Sequence, residues 1–180
     1  MGLKSNTLKT GFVWLLTGPP GIGKSTVAKS LSKHFTKSVW VDVDTLREMV
    51  VSGYAQPASK SAEAEKQLAI GLENACAIAK NFAEKGFNVF IDDVVVSAPK
   101  LANYATRLKR FKFRAFLLIA NRKTVVKRDV KRKKSLVVGE RAVELHNAFL
   151  ETEKRNKWIV INTTGESIPK TVNELLNYVD

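Results

Sequence analysis

Gly18-Pro19-Pro20-Gly21-Ile22-Gly23-Lys24-Ser25 satisfies the spacing G-x-x-x-x-G-K-[ST], and the rest of the chain is read outward from it. The run before it, residues 12–17, is continuous and apolar, as in a strand buried on both faces of a parallel sheet. A helix is predicted to follow over 24–35. In such a turn the glycines let backbone N–H groups point inward, where side chains would obstruct them. The N-terminus of the helix adds its dipole at the same spot. Residues 18–26, including Thr26, therefore predict a cradle for the polyphosphate of ATP. Lys24 is expected to neutralise the β- and γ-oxygens, and the Ser25 hydroxyl to ligate Mg²⁺.

Strand and helix patterns alternate from there to the end. Strands are predicted over 39–43, 87–91, 113–120 and 158–162. Helices are predicted after Asp44 and over 61–85, 99–109, 123–133, 139–156 and 169–179. The expected fold is three-layer α/β/α, a P-loop NTPase of the nucleoside-monophosphate-kinase type with five parallel strands. No repeat or flexible linker interrupts it, so residues 1–180 are expected to form one domain, with a lid at about 128–140.

Ligands of open α/β sheets sit outside the carboxyl ends of the strands. Two acidic clusters are predicted there. Asp42 and Asp44 leave the second strand on one side by its period of two, and either could take the proton of an attacking hydroxyl. Arg47 follows one helical turn later, placed to steady the acceptor or the transferring phosphate. The structural alternative makes Asp44 only a helix cap and Arg47 only a surface residue. Asp92 and Asp93 end the third strand, where a terminal carboxylate would hold the metal; the pattern does not choose between them. Asp93 is also a candidate for contact with the acceptor.

The net charge of +13 is concentrated. Between Lys100 and Lys134 there are 14 Lys and Arg and one acid, Asp129, whereas the remainder balances at 16 of each sign. Such a block attracts phosphates of a nucleotide or of a nucleic acid; a solvated helix face is the plainer reading. Arg128 and Arg132, spaced i, i+4, are candidates for lid arginines over the nucleotide, and Arg128 is expected to stabilise charge in the transition state. The alternation of Phe and cations over 107–114 admits base stacking, but entry into a strand explains it equally.

Cys76 is the only cysteine, which excludes an intramolecular disulfide and suggests a reducing, cytoplasmic setting. No apolar run approaches the roughly 20 residues of a membrane-spanning helix. The chain also carries no hydrophobic leader at its start. His34 and His146 have no companions at metal-ligand spacing.

Together these residues resemble the small P-loop kinases grouped around chloramphenicol phosphotransferase, with zeta toxins, adenylylsulfate kinase and the kinase domain of polynucleotide kinase. The resemblance runs from Leu15 to Tyr178 and rests on chain order: D-x-x-R from Asp44 to Arg47, an aspartate-tipped third strand, then an arginine-bearing lid. Residues 139–146 and the last strand with its following loop are similar to chloramphenicol phosphotransferase. The resemblance implies that Asp44 acts as general base and that the loop at Thr163, Thr164 and Gly165 borders adenine. Arg47 has no counterpart in the antibiotic kinase, whereas adenylylsulfate and polynucleotide kinases carry one and act on phosphate-bearing acceptors. Val43 and Thr45 depart from the adenylylsulfate kinase motif. The expected function is transfer of the γ-phosphate of ATP to a hydroxyl of a small molecule. A polynucleotide 5′-hydroxyl kinase and a nucleotide-binding switch with slow ATP hydrolysis are the alternatives.

Overall fold

The structure, a computed structural model, describes residues 10–130, 144–145, 147–149 and 158–179. Arg132, His146 and most of the expected lid and of the helix over 139–156 lie outside them. Five strands, β1 (Val13–Thr17), β2 (Ser38–Asp42), β3 (Asn88–Asp92), β4 (Phe113–Ile119) and β5 (Ile159–Asn162), form one sheet in the order β2-β3-β1-β4-β5. All neighbouring pairs are parallel. The helices are α1 (Lys24–Ser32), α2 (Val43–Glu48), α3 (Ala62–Ala83), α4 (Ala98–Leu108), α5 (Arg122–Val130) and α6 (Ile168–Leu176).

β1 reads as unbroken apolar sequence because alternate residues serve two cores. Val13 and Leu15 join Val89, Ile91, Ala115 and Leu117 on one face, against Leu72, Ala75 and Ala79 of α3 and Tyr104 and Leu108 of α4. Trp14 and Leu16 join Phe90, Phe116 and Leu118 on the other, against Val27 and Leu31 of α1, Val125 of α5 and Val172 of α6. Trp14 is fully buried, with its ring 4.7 Å from Phe116 and 5.8 Å from Phe90. This period of two, covered on both faces by helices, is what a parallel sheet requires.

Register then places the chemistry. Leu16, the penultimate residue of β1, pairs with Asp92, and Asp92 pairs with Asp42 on the other side. Asp42 and Asp92 therefore stand level at the carboxyl edge, beside the turn that follows β1. The expected cap of α2 is corrected here. The cap is Asp42, whose Oδ1 accepts from Asp44 N at 3.1 Å and whose Oδ2 accepts from the Thr45 hydroxyl at 3.1 Å. β2 runs into α2 without a connecting loop, so Asp44 falls in the first helical turn and is carried there by the helix, not by the strand period. Among the described residues no helix is long and apolar enough to cross a membrane.

Candidate active site

The turn between β1 and α1 has positive φ at Gly18 (146°), Gly21 (78°) and Gly23 (100°). A Cβ at Gly18 would lie 2.3 Å from the Leu118 carbonyl oxygen, so the loop is admitted between β1 and β4 only because that atom is missing. Gly23 is the N-cap of α1; it supplies no capping side chain, and the first turn contains no acid. The first N–H groups of α1 are thus left open to an external anion at the positive end of the helix dipole. The Lys24 ammonium bends back over the loop and donates to the carbonyls of Gly18 at 3.1 Å and Pro19 at 3.4 Å.

A cleft of about 510 Å³ opens in front of this turn. Pro20, Gly21, Gly23, Lys24, Ser25 and Thr26 line one wall. Asp42, Asp44, Thr45 and Glu48, from the end of β2 and from α2, and Asp92 and Val94, from the end of β3, complete its lining. Thr45, Glu48 and Val94 are not among the site candidates of the sequence, although Glu48 is four residues from Asp44 and so shares its helical face.

Asp92 is 4% exposed, and its Oδ2 has no hydrogen-bond partner in the structure. Burial pushes its carboxyl up to about 6. Lys24 and the Ser25 hydroxyl beside it pull the other way, while Asp42 and Asp44 push it further up. An unpartnered buried oxygen at the foot of a cradle for anions is a place where a hard cation fits.

Asp93 does not share this environment. Its Oδ2 pairs with Lys100 at 2.7 Å and accepts from the Tyr104 hydroxyl at 2.8 Å; its Oδ1 accepts from Val94 N at 2.7 Å. Burial, then the Asp93 charge, holds the Tyr104 phenol well above its ordinary range, so it stays a donor. Asp93, a sequence candidate for metal or acceptor, bonds instead to Lys100 and Tyr104 of α4 and is not among the residues lining the cleft. These bonds tie the end of β3 to α4.

Arg47 forms an ion pair with Asp44 and is itself nearly enclosed, its side chain 10% exposed against 58% for Asp44. Its stem lies over α3, where a Cβ on Gly71 would come within 2.9 Å of Arg47 Cγ. The loop after α2 is clasped by Gln67, whose amide donates to Gly53 O at 2.8 Å and accepts from Ala55 N at 2.9 Å.

Arg128 is not among the residues lining the cleft. Nη1 donates to Ile22 O at 3.2 Å and Thr163 Oγ1 at 3.0 Å, and Nη2 to Thr163 O at 3.0 Å and Glu166 O at 3.2 Å. Thr163 is buried, Thr164 Oγ1 accepts from Asn121 N at 2.8 Å, and Gly165 (φ 72°) turns the loop at an open position. The basic segment is continuous in sequence but not in space, because α4 packs on one face of the sheet and α5 on the other. Several of its cations are already engaged: Lys100 with Asp93, Arg107 with Glu73 at 2.6 Å, and Arg110 with Glu84.

The fold is that of P-loop kinases. Over 93% of its length the chain superposes on 96% of the APS kinase CysC of Mycobacterium tuberculosis, solved in complex with AMPPNP and APS (TM-score 0.70, 20% identity). It superposes over 94% of its length on 95% of the tunicamycin resistance protein of Deinococcus radiodurans (TM-score 0.69, 14% identity). Over 87% of its length it also superposes on half of a chain of the Pnkp1/Rnl/Hen1 RNA repair complex (TM-score 0.65, 21% identity). No curated protein matches the chain in sequence. Residues 13–157 match the family described as the AAA domain.

Proposed function

The chain belongs to the AAA-domain family, and from that premise we propose that it is an ATP-dependent kinase acting on a hydroxyl of a small-molecule acceptor. One observation carries this reading: the phosphate cradle and the carboxylates of Asp42, Asp44 and Asp92 line a single cleft. A phosphoryl donor on one wall would meet a hydroxyl on the other. A water-only NTPase has no use for the second wall.

The residues divide the work by position. Backbone N–H groups of 21–26 hold the β- and γ-phosphates, and Lys24 leaves its carbonyl partners for the phosphate oxygens. Asp44, the exposed carboxylate, takes the proton from the acceptor hydroxyl as that oxygen bonds to the γ-phosphorus and the bond to the β–γ bridging oxygen breaks, releasing ADP. Asp42 is occupied in capping α2 and holds Asp44 in place. Arg47 orients Asp44 and faces the acceptor side through it. Ser25 and Asp92 offer the hard oxygen donors suited to Mg²⁺, which would neutralise charge on the phosphates when bound. One carboxylate with one hydroxyl suffices for an ion that takes its other ligands from phosphate and water. The whole chain is read as one kinase domain.

The test is a transfer assay with γ-labelled ATP against pools of alcohols, sugars, nucleosides and oligonucleotides. Label is expected in an organic product, lost in Asp44→Asn while ATP binding persists. Release of label only as inorganic phosphate, whatever pool is added, would count against the reading.

A further inference from the structure

The Arg128 fork closes on the protein itself. Its four hydrogen bonds reach Ile22, between Gly21 and Gly23 of the phosphate loop, and Thr163 and Glu166 of the loop joining β5 to α6. Three of those acceptors are main-chain carbonyls, which cannot turn away without moving the backbone. The fourth, the Thr163 hydroxyl, passes the link on by donating to Ile119 O at 3.0 Å, at the end of β4. Thr163 N also donates to Ile119 O, at 2.7 Å. Ile168, opening α6, approaches within 3.7 Å of where a Gly23 Cβ would stand. The two loops are therefore fastened to one another, and a planar guanidinium is the side chain able to reach several acceptors in two segments at once.

We propose that Arg128 is a positioning residue, a clamp that fixes the 163–166 loop against the phosphate loop, in place of the transition-state role expected from the sequence. The inference rests on the nucleotide reading of the cleft, with phosphates on the cradle and the base bordered by the 163–166 loop. A ligand held at both ends gains from both only when their spacing is set in advance; otherwise ordering the loop is charged to binding. Removing the clamp should thus weaken a complete nucleotide and leave its isolated polyphosphate nearly untouched.

The experiment is calorimetric titration of wild type, Arg128→Ala and Arg128→Lys with Mg²⁺ and either adenylyl imidodiphosphate or inorganic tripolyphosphate. The expected result is a loss of about tenfold or more for the nucleotide, as for hydrogen bonds from a charged donor, with tripolyphosphate changed by less than about threefold. Lysine should not rescue, because one ammonium cannot span both loops. Equal losses for both probes would make Arg128 a phosphate ligand and overturn the clamp, as would full nucleotide affinity in Arg128→Ala. If Arg128→Ala does not fold, Arg128→Lys and Thr163→Val, which deletes one acceptor, carry the same comparison. Wild type binding neither probe would instead refute the underlying nucleotide reading.

Discussion

At Asp92 two opposing influences meet: exclusion of water favours the neutral acid, and Lys24 with Ser25 favours the carboxylate. Exclusion wins, raising the folded-state value from 3.8 to about 6. The sign of the consequence follows from proton counting. Between those two values the folded chain binds more protons than the unfolded one, so stability falls as pH rises through this window, and the penalty persists above it. Its size is at most about 3 kcal/mol. Asp92→Asn, without ligands, is therefore expected to melt higher than wild type at pH 7, the two curves converging below about pH 4; thermal melts over that range check it. A wild type no less stable than the variant at neutral pH would contradict it. Asp44 is a different case, exposed and paired with Arg47. Asp44→Asn is expected to lower kcat by on the order of 10²–10⁴ while the Kd for ATP stays within about threefold. A variant with unchanged kcat would remove Asp44 from the role of base.

Elements show which parts of this arrangement are local. β1, its glycine turn and α1 were legible because an apolar run, a glycine spacing and a helical period each lie within a few residues. The start of α2 was not, since β2 ends at Asp42 through its pairing with β3, and only that register makes Asp42 the cap. Nor was the divergence of Asp92 and Asp93, which is decided by Lys100 and Tyr104 on a helix formed later in the chain. Arg128 has partners in two loops remote from α5, and no spacing within its own helix announces them. Gly71 is a further long-range feature. Glycine inside a helix normally costs about 1 kcal/mol relative to alanine, yet here it admits the stem of Arg47. Gly71→Ala is therefore expected to forfeit the usual gain and to destabilise by about 1 kcal/mol, through overpacking against Arg47 and Val43. Urea denaturation reads this directly, and a stabilised variant would show that α2 does not need the space.

For the whole molecule, the sheet separates what the sequence joins. The described part of the stretch of excess charge, residues 100–130, is folded around β4, with α4 on one face of the sheet and α5 on the other. If an oligonucleotide binds, it would follow one of those faces, not both. Reversing Lys109 and Lys112 beside α4, or Arg122 and Lys123 on α5, is expected to alter single-strand binding for one pair only, as read by fluorescence anisotropy at low salt. Equal loss from both pairs would mean that the cations act as one continuous surface. The same partition leaves the carboxyl edge of the sheet to the cleft, where the cradle meets the carboxylates of Asp42, Asp44, Glu48 and Asp92. The central claim is that this cleft takes the polyphosphate of ATP, and calorimetry with MgATP on wild type and Lys24→Ala tests it most directly. The account predicts a dissociation constant on the order of micromolar for wild type and a loss of about 100-fold in the variant, as for a charge-assisted contact. No heat with wild type, or equal affinity in the two proteins, would contradict it.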